Sequence, residues 1–347
     1  MSPRAIEVNV FFGLLVILIF SNFAFICNSK SREIEIPTNL AFALTQTTNP
    51  LNDRLISHKL IDGLSIQLSW SQLEPSDNIH DFKALDDVLL KIKKANKKSS
   101  IHVFGGFGSP LWLKKLGVRF YEFVDIQGRT KYEPVPWDET YLSKHEEFLT
   151  AFSKHLKEKD LLNTIFDISI ATPVTEMSII PCKNGVIPPD IMYDRTRYLN
   201  AWKRMINTYH INFINQNKFI SAPVRVICAP EKDASFYIEL LDYALLKSDK
   251  FWMFAADLKS DGSWRMSSYL SLVDKYKLAY QTLWYSTKDS QNRMRGVYPS
   301  NLKQAVCKGL EDGATYFEFY AVDVVNTNEC IQEAIETVKE SSLCQCP

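Results

Sequence analysis

The stretch TIFDISIATPVTEMSIIP, Thr164 to Pro181, is an apolar, β-rich run closed by a lone carboxylate, Glu176. Three strand and helix pairs can be read before it and four after it, which makes it the fourth strand of an eight-stranded parallel barrel. In such barrels the chemistry sits where the strands end and the following loops begin. Glu176 is therefore expected at the mouth of a carbohydrate-sized pocket, as a proton donor or the remnant of one, against the plainer reading of a solvated loop carboxylate.

The neighbouring units follow the same alternation. Strand one is expected at Asn39 to Thr48, with a short helix over Asn52 to Leu60. Strand two alternates from Leu64 to Leu68, and a helix with 3.6-residue spacing follows over Phe82 to Ile92. Strand three starts at Ser99 and runs into Gly105, Gly106 and Gly108, which let the backbone bend at the rim. They are no phosphate cradle, because no lysine followed by Ser or Thr stands at the required spacing. The loop Gly117 to Asp138 is long and aromatic, as expected of an ordered cleft wall.

Beyond a helix over Tyr141 to Lys159 and the Glu176 strand, a long helix is expected over Ile191 to Phe213. Strands five to eight are expected at Ala222 to Pro230, Phe251 to Leu258, Leu278 to Tyr285 and Ala314 to Val324. Helices fill the gaps at Ser235 to Leu246, Ser263 to Lys275 and Ser300 to Glu311, and a last one spans Glu329 to Glu340. Eight strands alternating with eight helices indicate an α/β fold, a single (β/α)8 TIM barrel. A doubly wound open sheet is the alternative, but no GxGxxG follows a first strand.

Composition narrows the partners. Of 347 residues, 46% are hydrophobic, enough for one large domain or two medium ones, and the strand and helix alternation favours the single barrel. The 40 basic and 40 acidic residues balance, so no nucleic-acid or anionic-membrane surface is expected. The lysines from Lys91 to Lys98 read as the solvated end of a helix. The 21 Phe, 15 Tyr and 7 Trp suit sugar rings as well as a large core.

Residues 1–29 stand apart from the fold. Phe11 to Phe20 is an unbroken apolar run after Arg4, with small residues near Cys27 and Ser29, which reads as a secretory signal. Extended over residues 11–27 it reads as an uncleaved membrane anchor. Both readings export the barrel, residues 30–347. Removing the leader with Cys27 leaves Cys182, Cys228, Cys307, Cys330, Cys344 and Cys346, an even set that permits disulfides. The CQCP tail has no histidine or second cysteine pair at zinc spacing. It is expected to be pinned to a neighbouring helix through Cys307, and no metal or cofactor is expected. No Asn-x-Ser/Thr sequon occurs.

Glycosidic hydrolysis uses two carboxyl groups on either side of the bond. Glu318 is the preferred partner of Glu176: strand alternation in TYFEFY sets Tyr316, Glu318 and Tyr320 on one face and Phe317 and Phe319 on the other. The apolar pair belongs under the helices, which turns Glu318 toward the interior, where it serves either catalysis or a structural polar network. Asp257, Asp323 and Glu74 are candidates for the rim, for helix caps or for turns. His102 on strand three reads as a core or a substrate-binding histidine. Trp70, Trp112, Trp137 and Trp284 follow strand ends or lie in rim loops, as stacking platforms or as core filling.

LSWSQLEPSDNIHDFKALDDVLLKIKKANK, with its W-x-x-x-E-P turn, resembles the second unit of clan A glycoside hydrolases of the β-galactosidase-like superfamily. FGGFGSPLWL, PWD at Pro136 to Asp138, ATPVTEMSIIP and GATYFEFYAVDV resemble the same group, together spanning most of Asp62 to Val324. The resemblance implies an acid/base glutamate after strand four, matched by Glu176, with Thr175 where an asparagine is usual. It also implies a nucleophilic glutamate ending strand seven, where this chain has Gln281 in LAYQTLWY. An amide cannot serve as nucleophile or base, so Gln281 is assigned to substrate hydrogen bonding. Three alternatives follow: Glu318 or another rim carboxylate replaces the nucleophile, the enzyme inverts through a water, or the barrel binds a glycan without cleaving it. An anchored structural protein with a degenerate pocket is a further reading.

Overall fold

The computed structural model describes residues 39–46, 53–124, 129–173, 191–223, 235–263, 266–267, 269–270, 276–282, 302–326 and 329–345. Ten strands are described among them: β1 (Leu40–Gln46), β2 (Gly63–Ser69), β3 (Lys98–Phe104), β4 (Phe120–Val124), β5 (Thr130–Pro134), β6 (Ile165–Ser169), β7 (Phe219–Pro223), β8 (Phe251–Leu258), β9 (Lys277–Thr282) and β10 (Ala314–Tyr320). The helices described are α1 (Asp53–Ser57), α2 (Trp70–Leu73), α3 (Lys83–Lys94), α4 (Glu139–Glu158), α5 (Arg195–Asn212), α6 (Ser235–Leu245), α7 (Leu302–Glu311), α8 (Ala321–Asn326) and α9 (Glu329–Lys339).

Eight of the strands close into a parallel ring in the order β1-β10-β9-β8-β7-β6-β3-β2. The expected (β/α)8 barrel is therefore the fold, with β6, β7, β8, β9 and β10 as its fourth to eighth staves. β1 closes on β10 from Leu40 beside Tyr316 to Leu44 beside Tyr320, so the ring has no free edge.

The strands are apolar because both of their faces are covered. Ala41 and Ala43 of β1, Leu64, Ile66 and Leu68 of β2, and Phe317 and Phe319 of β10 are buried in the hydrophobic core. Alternate residues fill the lumen instead, where Phe42, Phe166, Phe219, Trp252 and Tyr316 form one aromatic cluster. Phe166 stacks on Tyr316 at 6.2 Å, and Trp252 meets Tyr316 edge-on at 5.7 Å. Gly63 makes room for this packing, since a Cβ there would lie 2.4 Å from the Phe42 ring.

Three expectations need correction. Strand five starts at Phe219, three residues before Ala222, and residues 224–230 lie outside the described ones. Strand eight ends at Tyr320, and the next residues coil directly into α8, so Val322 to Val324 are helical. The loop Gly117 to Asp138 contains an antiparallel hairpin, β4 on β5, with Phe120 beside Pro134 and Val124 beside Thr130. Most of the helix expected over Ser263 to Lys275, residues 264–265, 268 and 271–275, lies outside the described residues.

Cys307 on α7 is joined to Cys344 by a disulfide, with Cα atoms 5.4 Å apart, so the tail is tied to that helix as expected. Cys182, Cys228 and Cys346 lie outside the described residues. So do residues 1–38, and among the described residues no helix is long and apolar enough to cross a membrane.

The cross-link closes a loop with a sequence separation of 37 residues. In the chain-entropy account such a loop is worth about 3–4 kcal/mol. Cys344→Ser should lower the unfolding free energy of the oxidised protein by about that amount and leave the reduced protein unchanged, as read by denaturant titration with and without reductant.

Candidate functional site

Tyr316, Glu318 and Tyr320 of β10 share the inward face, and Glu318 is fully buried. Its Oε1 accepts a hydrogen bond from the Tyr316 hydroxyl at 2.7 Å. His102 Nε2 lies 3.3 Å from the same oxygen. β3 and β10 are not neighbours in the ring, so the His102 contact spans the lumen. Phe254 of β8 packs against His102, with ring centroids 5.6 Å apart.

A second carboxylate, Asp167 of β6, is buried in the same network. Its Oδ2 accepts from Ser100 and Ser221, each at 2.8 Å, one from either adjacent strand. The Ser100 hydroxyl also lies 3.4 Å from His102 Nε2. The imidazole is thus the shared neighbour of both acids. Among the described residues, Glu318 Oε2 and Asp167 Oδ1 are buried without a hydrogen-bond partner, as is the Ser169 hydroxyl.

Burial opposes any charge on His102. The charge and hydrogen bond of Glu318, helped by Asp167, outweigh it and hold His102 above its ordinary range. Burial, reinforced by Glu318, pushes Asp167 up to about 6, although His102, Ser100 and Ser221 pull the other way. Burial, then Glu318 and Asp167, raises the Tyr316 phenol well above its usual value. A Tyr316 that keeps its hydrogen remains a donor to Glu318 at every ordinary pH.

Gln281 of β9 stands beside Glu318 in the strand register. Its amide donates to the Tyr320 hydroxyl at 3.0 Å, and the Thr282 hydroxyl donates to the Glu318 carbonyl at 3.3 Å. The amide and the carboxylate therefore line one level of the ring.

The exit of β6 toward Glu176 is anchored as far as Pro173. Gly105 N–H donates to the Ala171 carbonyl at 2.8 Å, and the Tyr141 hydroxyl donates to the Pro173 carbonyl at 2.8 Å. Gly106 N–H donates in turn to the Tyr141 oxygen at 3.0 Å. A Cβ on Gly105 would meet the Thr172 hydroxyl at 2.2 Å, so this approach requires glycine. Thr172 and His145 Nε2 are 2.9 Å apart, and burial drives His145 down to about 3, so it is neutral. Glu176 itself, and Trp284, lie outside the described residues.

The remaining candidates separate by burial. Trp70 has no exposed face: it packs against Trp112, Tyr141, His145 and Phe148 and donates to Glu74 Oε2 at 2.7 Å. The expectation of a stacking platform at Trp70 is corrected to a core position. Glu74 is buried, is raised by that burial, and also accepts from Asn78 N–H at 2.8 Å, which makes it the clamp of the turn after β2. Trp112 is half-buried and donates to the Glu74 carbonyl. Trp137 packs edge-on to Tyr193 and Tyr198. Asp257 is fully buried and receives the Ser263 hydroxyl, which in turn accepts Met266 N–H, so it closes the turn after β8. Asp323 is buried within α8. Among the described residues no group of three His, Cys, Asp or Glu could hold a metal ion.

Asp167 was not singled out in the sequence. Its signal is an acid interrupting the strand IFDIS, where a buried carboxylate must find hydroxyl or cationic partners.

No family model matches the chain, and no curated protein does. Solved structures do resemble it. The catalytic domain of a β-amylase from Paenibacillus polymyxa aligns with a TM-score of 0.56 at 12% identity, covering 86% of this chain and 97% of that one. A β-galactosidase from Marinomonas ef1 aligns at 0.57 and 8% identity, over 89% of this chain and 62% of that one. This chain thus spans less than two thirds of that galactosidase. A GH30 endoxylanase from Clostridium papyrosolvens C71 aligns at 0.55 and 9% identity, over 88% and 72%. The shared feature is the TIM-barrel fold found in these glycoside hydrolases.

The raised Asp167 binds its proton more tightly folded than unfolded. Its contribution to stability is therefore present in acid and is lost as pH rises from about 4 to about 6. His102 adds stability below its ordinary value of 6.5 that is lost as pH rises through its raised folded value. The stability of wild type minus that of Asp167→Asn should fall by on the order of 1–3 kcal/mol between pH 4 and 6.5 and level off above. Denaturant unfolding across that range checks it, and a flat difference would mean that Asp167 does not titrate there.

Proposed function

We propose that the chain is an exported, glycoside hydrolase-like protein that acts on a polysaccharide or glycoconjugate, with Glu176 as general acid/base and Glu318 as the second carboxylate. The observation that supports this most is the contact across the lumen: Glu318 Oε1 is held by Tyr316 and His102, while Oε2 has no partner among the described residues. The Tyr316 phenol donates to Oε1 and the His102 imidazole lies beside the same oxygen, so Oε1 is held in place and Oε2 is left for a reacting group. Glu318 thus suits the role of base or nucleophile, and Glu176 that of proton donor to the leaving oxygen. Attack by Glu318 on the anomeric carbon would break the glycosidic bond and give a glycosyl ester that water then hydrolyses. Activation of a water by Glu318 would invert the anomeric centre instead.

The barrel fold, shared with a β-amylase, a β-galactosidase and a xylanase, supports a carbohydrate ligand. The Cys307–Cys344 disulfide supports export, since such bonds persist in oxidising compartments. Gln281 favours a second reading, a barrel that binds a glycan without cleaving it, because an amide rather than a carboxylate stands beside Glu318.

A panel of polysaccharides and glycoconjugates, scored for both cleavage and binding, separates the readings. In the hydrolytic reading Glu176→Gln and Glu318→Gln each lower kcat/KM by about 10²–10⁴-fold while ligand is still bound. Binding without turnover in the wild type selects the second reading. Neither binding nor turnover would overturn both. Intact-mass analysis of the secreted protein should place its mature N-terminus near residue 30.

A further inference from the structure

A groove of about 480 Å³ opens between the turn after β2 and the hairpin after β3. Ser71, Phe107, Leu111, Trp112, Lys131 and Tyr132 are among its lining residues. All of them follow the carboxyl ends of barrel strands, so the groove lies on the rim where ligands of such barrels bind. Phe107 is 44% exposed, Tyr132 45% and Leu111 62%, a cluster of large apolar faces turned to water.

Two of these rings, Phe107 and Trp112, are fixed from behind by two buried glutamates. Glu133 accepts Phe107 N–H at 3.1 Å and the Tyr121 hydroxyl at 2.6 Å, which ties the hairpin to the turn that presents Phe107. Glu74 clamps its own turn and takes the Trp112 indole on its carbonyl at 3.0 Å. Rigid exposed rings of this kind lose little freedom when a ligand covers them.

Among the described residues that line the groove, Lys131 is the single ionised one, with Nζ 5.6 Å from the Phe107 ring centre. Lys114 lies just outside, 4.9 Å from the centre of the Tyr132 ring. Glu122 is engaged by the Tyr132 hydroxyl.

We infer that this groove binds an acidic saccharide chain built of uronates, with Lys131 taking the carboxylate and Phe107, Trp112 and Tyr132 taking the sugar faces. The inference rests on the carbohydrate reading above and adds the charge class of the ligand. Apolar C–H faces of a pyranose suit the rings, and an anion on the sugar replaces the contact that Lys131 makes with Phe107 alone.

The test is calorimetric titration of the full chain with an oligogalacturonate, a neutral xylo-oligosaccharide and poly-glutamate. Wild type is compared with Lys131→Gln, Phe107→Ala and Lys94→Gln, the last an exposed lysine on α3. Oligogalacturonate should bind wild type and Lys94→Gln alike and bind the two groove variants about fivefold to tenfold more weakly. Equal binding by all four proteins, equal affinity for poly-glutamate or for the neutral sugar, or no binding by wild type would each overturn the inference. Cleavage of a neutral glycan that depends on Glu318, with no binding of oligogalacturonate, would remove the groove assignment alone and leave the barrel reading standing. Circular dichroism of the exposed-site variants verifies that they are folded.

Discussion

A ring of eight parallel strands has an interior that must be filled, and every charge placed in it needs a partner from another strand. That constraint governs this molecule. Below, the lumen is closed by Phe42, Phe166, Phe219, Trp252 and Tyr316 in mutual ring contact. Against that apolar floor lie two acids and one imidazole. An ionised carboxylate buried alone would cost several kcal/mol. Glu318 offsets that cost by reaching across to His102 and along its own strand to Tyr316, and Asp167 offsets it in part by drawing a hydroxyl from each neighbouring strand. Tyr316 belongs to both layers, its ring in the floor and its hydroxyl in the polar network, so the apolar packing sets where the charge sits.

The same logic of mutual fixing extends to the rim. Tyr141 on α4 binds the turn after β3 on one side and the end of the β6 segment on the other, through Gly106 and Pro173. Glu74 and Glu133 do the equivalent for the turns after β2 and in the hairpin. Each is a buried polar group whose bonds lead to backbone, which orders loops that have little apolar area of their own. The described rim is therefore tied by hydrogen bonds to backbone where strands two and three emerge and, as far as Pro173, after strand four.

Much of this was readable from residue patterns. The period-two pattern of TYFEFY places Glu318 inward because Phe317 and Phe319 claim the helical side, and alternation with the helical segments yields a closed ring. The misjudged parts share a cause. Val322 to Val324 have strand-like composition, but the chain is leaving the ring at Tyr320 and coils where it can pack on β1 and β10, a tertiary choice that overrides propensity. The hairpin over residues 120–134 was hidden because its inner face is built from Tyr121 and Glu133, a polar pair that mimics loop composition. Asp167 escaped notice because its two hydroxyl partners come from strands 67 and 54 residues away. Trp70 looked like a rim aromatic by position, yet the Glu74 carboxylate satisfies its indole N–H and lets the whole ring be buried.

Gln281 gains its meaning from Glu318. The two residues are register partners on adjacent strands, whose backbones run about 4.8 Å apart. Two carboxylates at that spacing in a buried interior resist joint ionisation, and Asp167 already shares the His102 imidazole with Glu318. A carboxylate on β10 is thus accommodated most readily when β9 offers a neutral side chain, and the amide of Gln281, occupied with the Tyr320 hydroxyl, meets that condition. An amide on the seventh strand and an acid on the eighth thus form one electrostatic solution, with a single carboxylate where these two staves stand side by side.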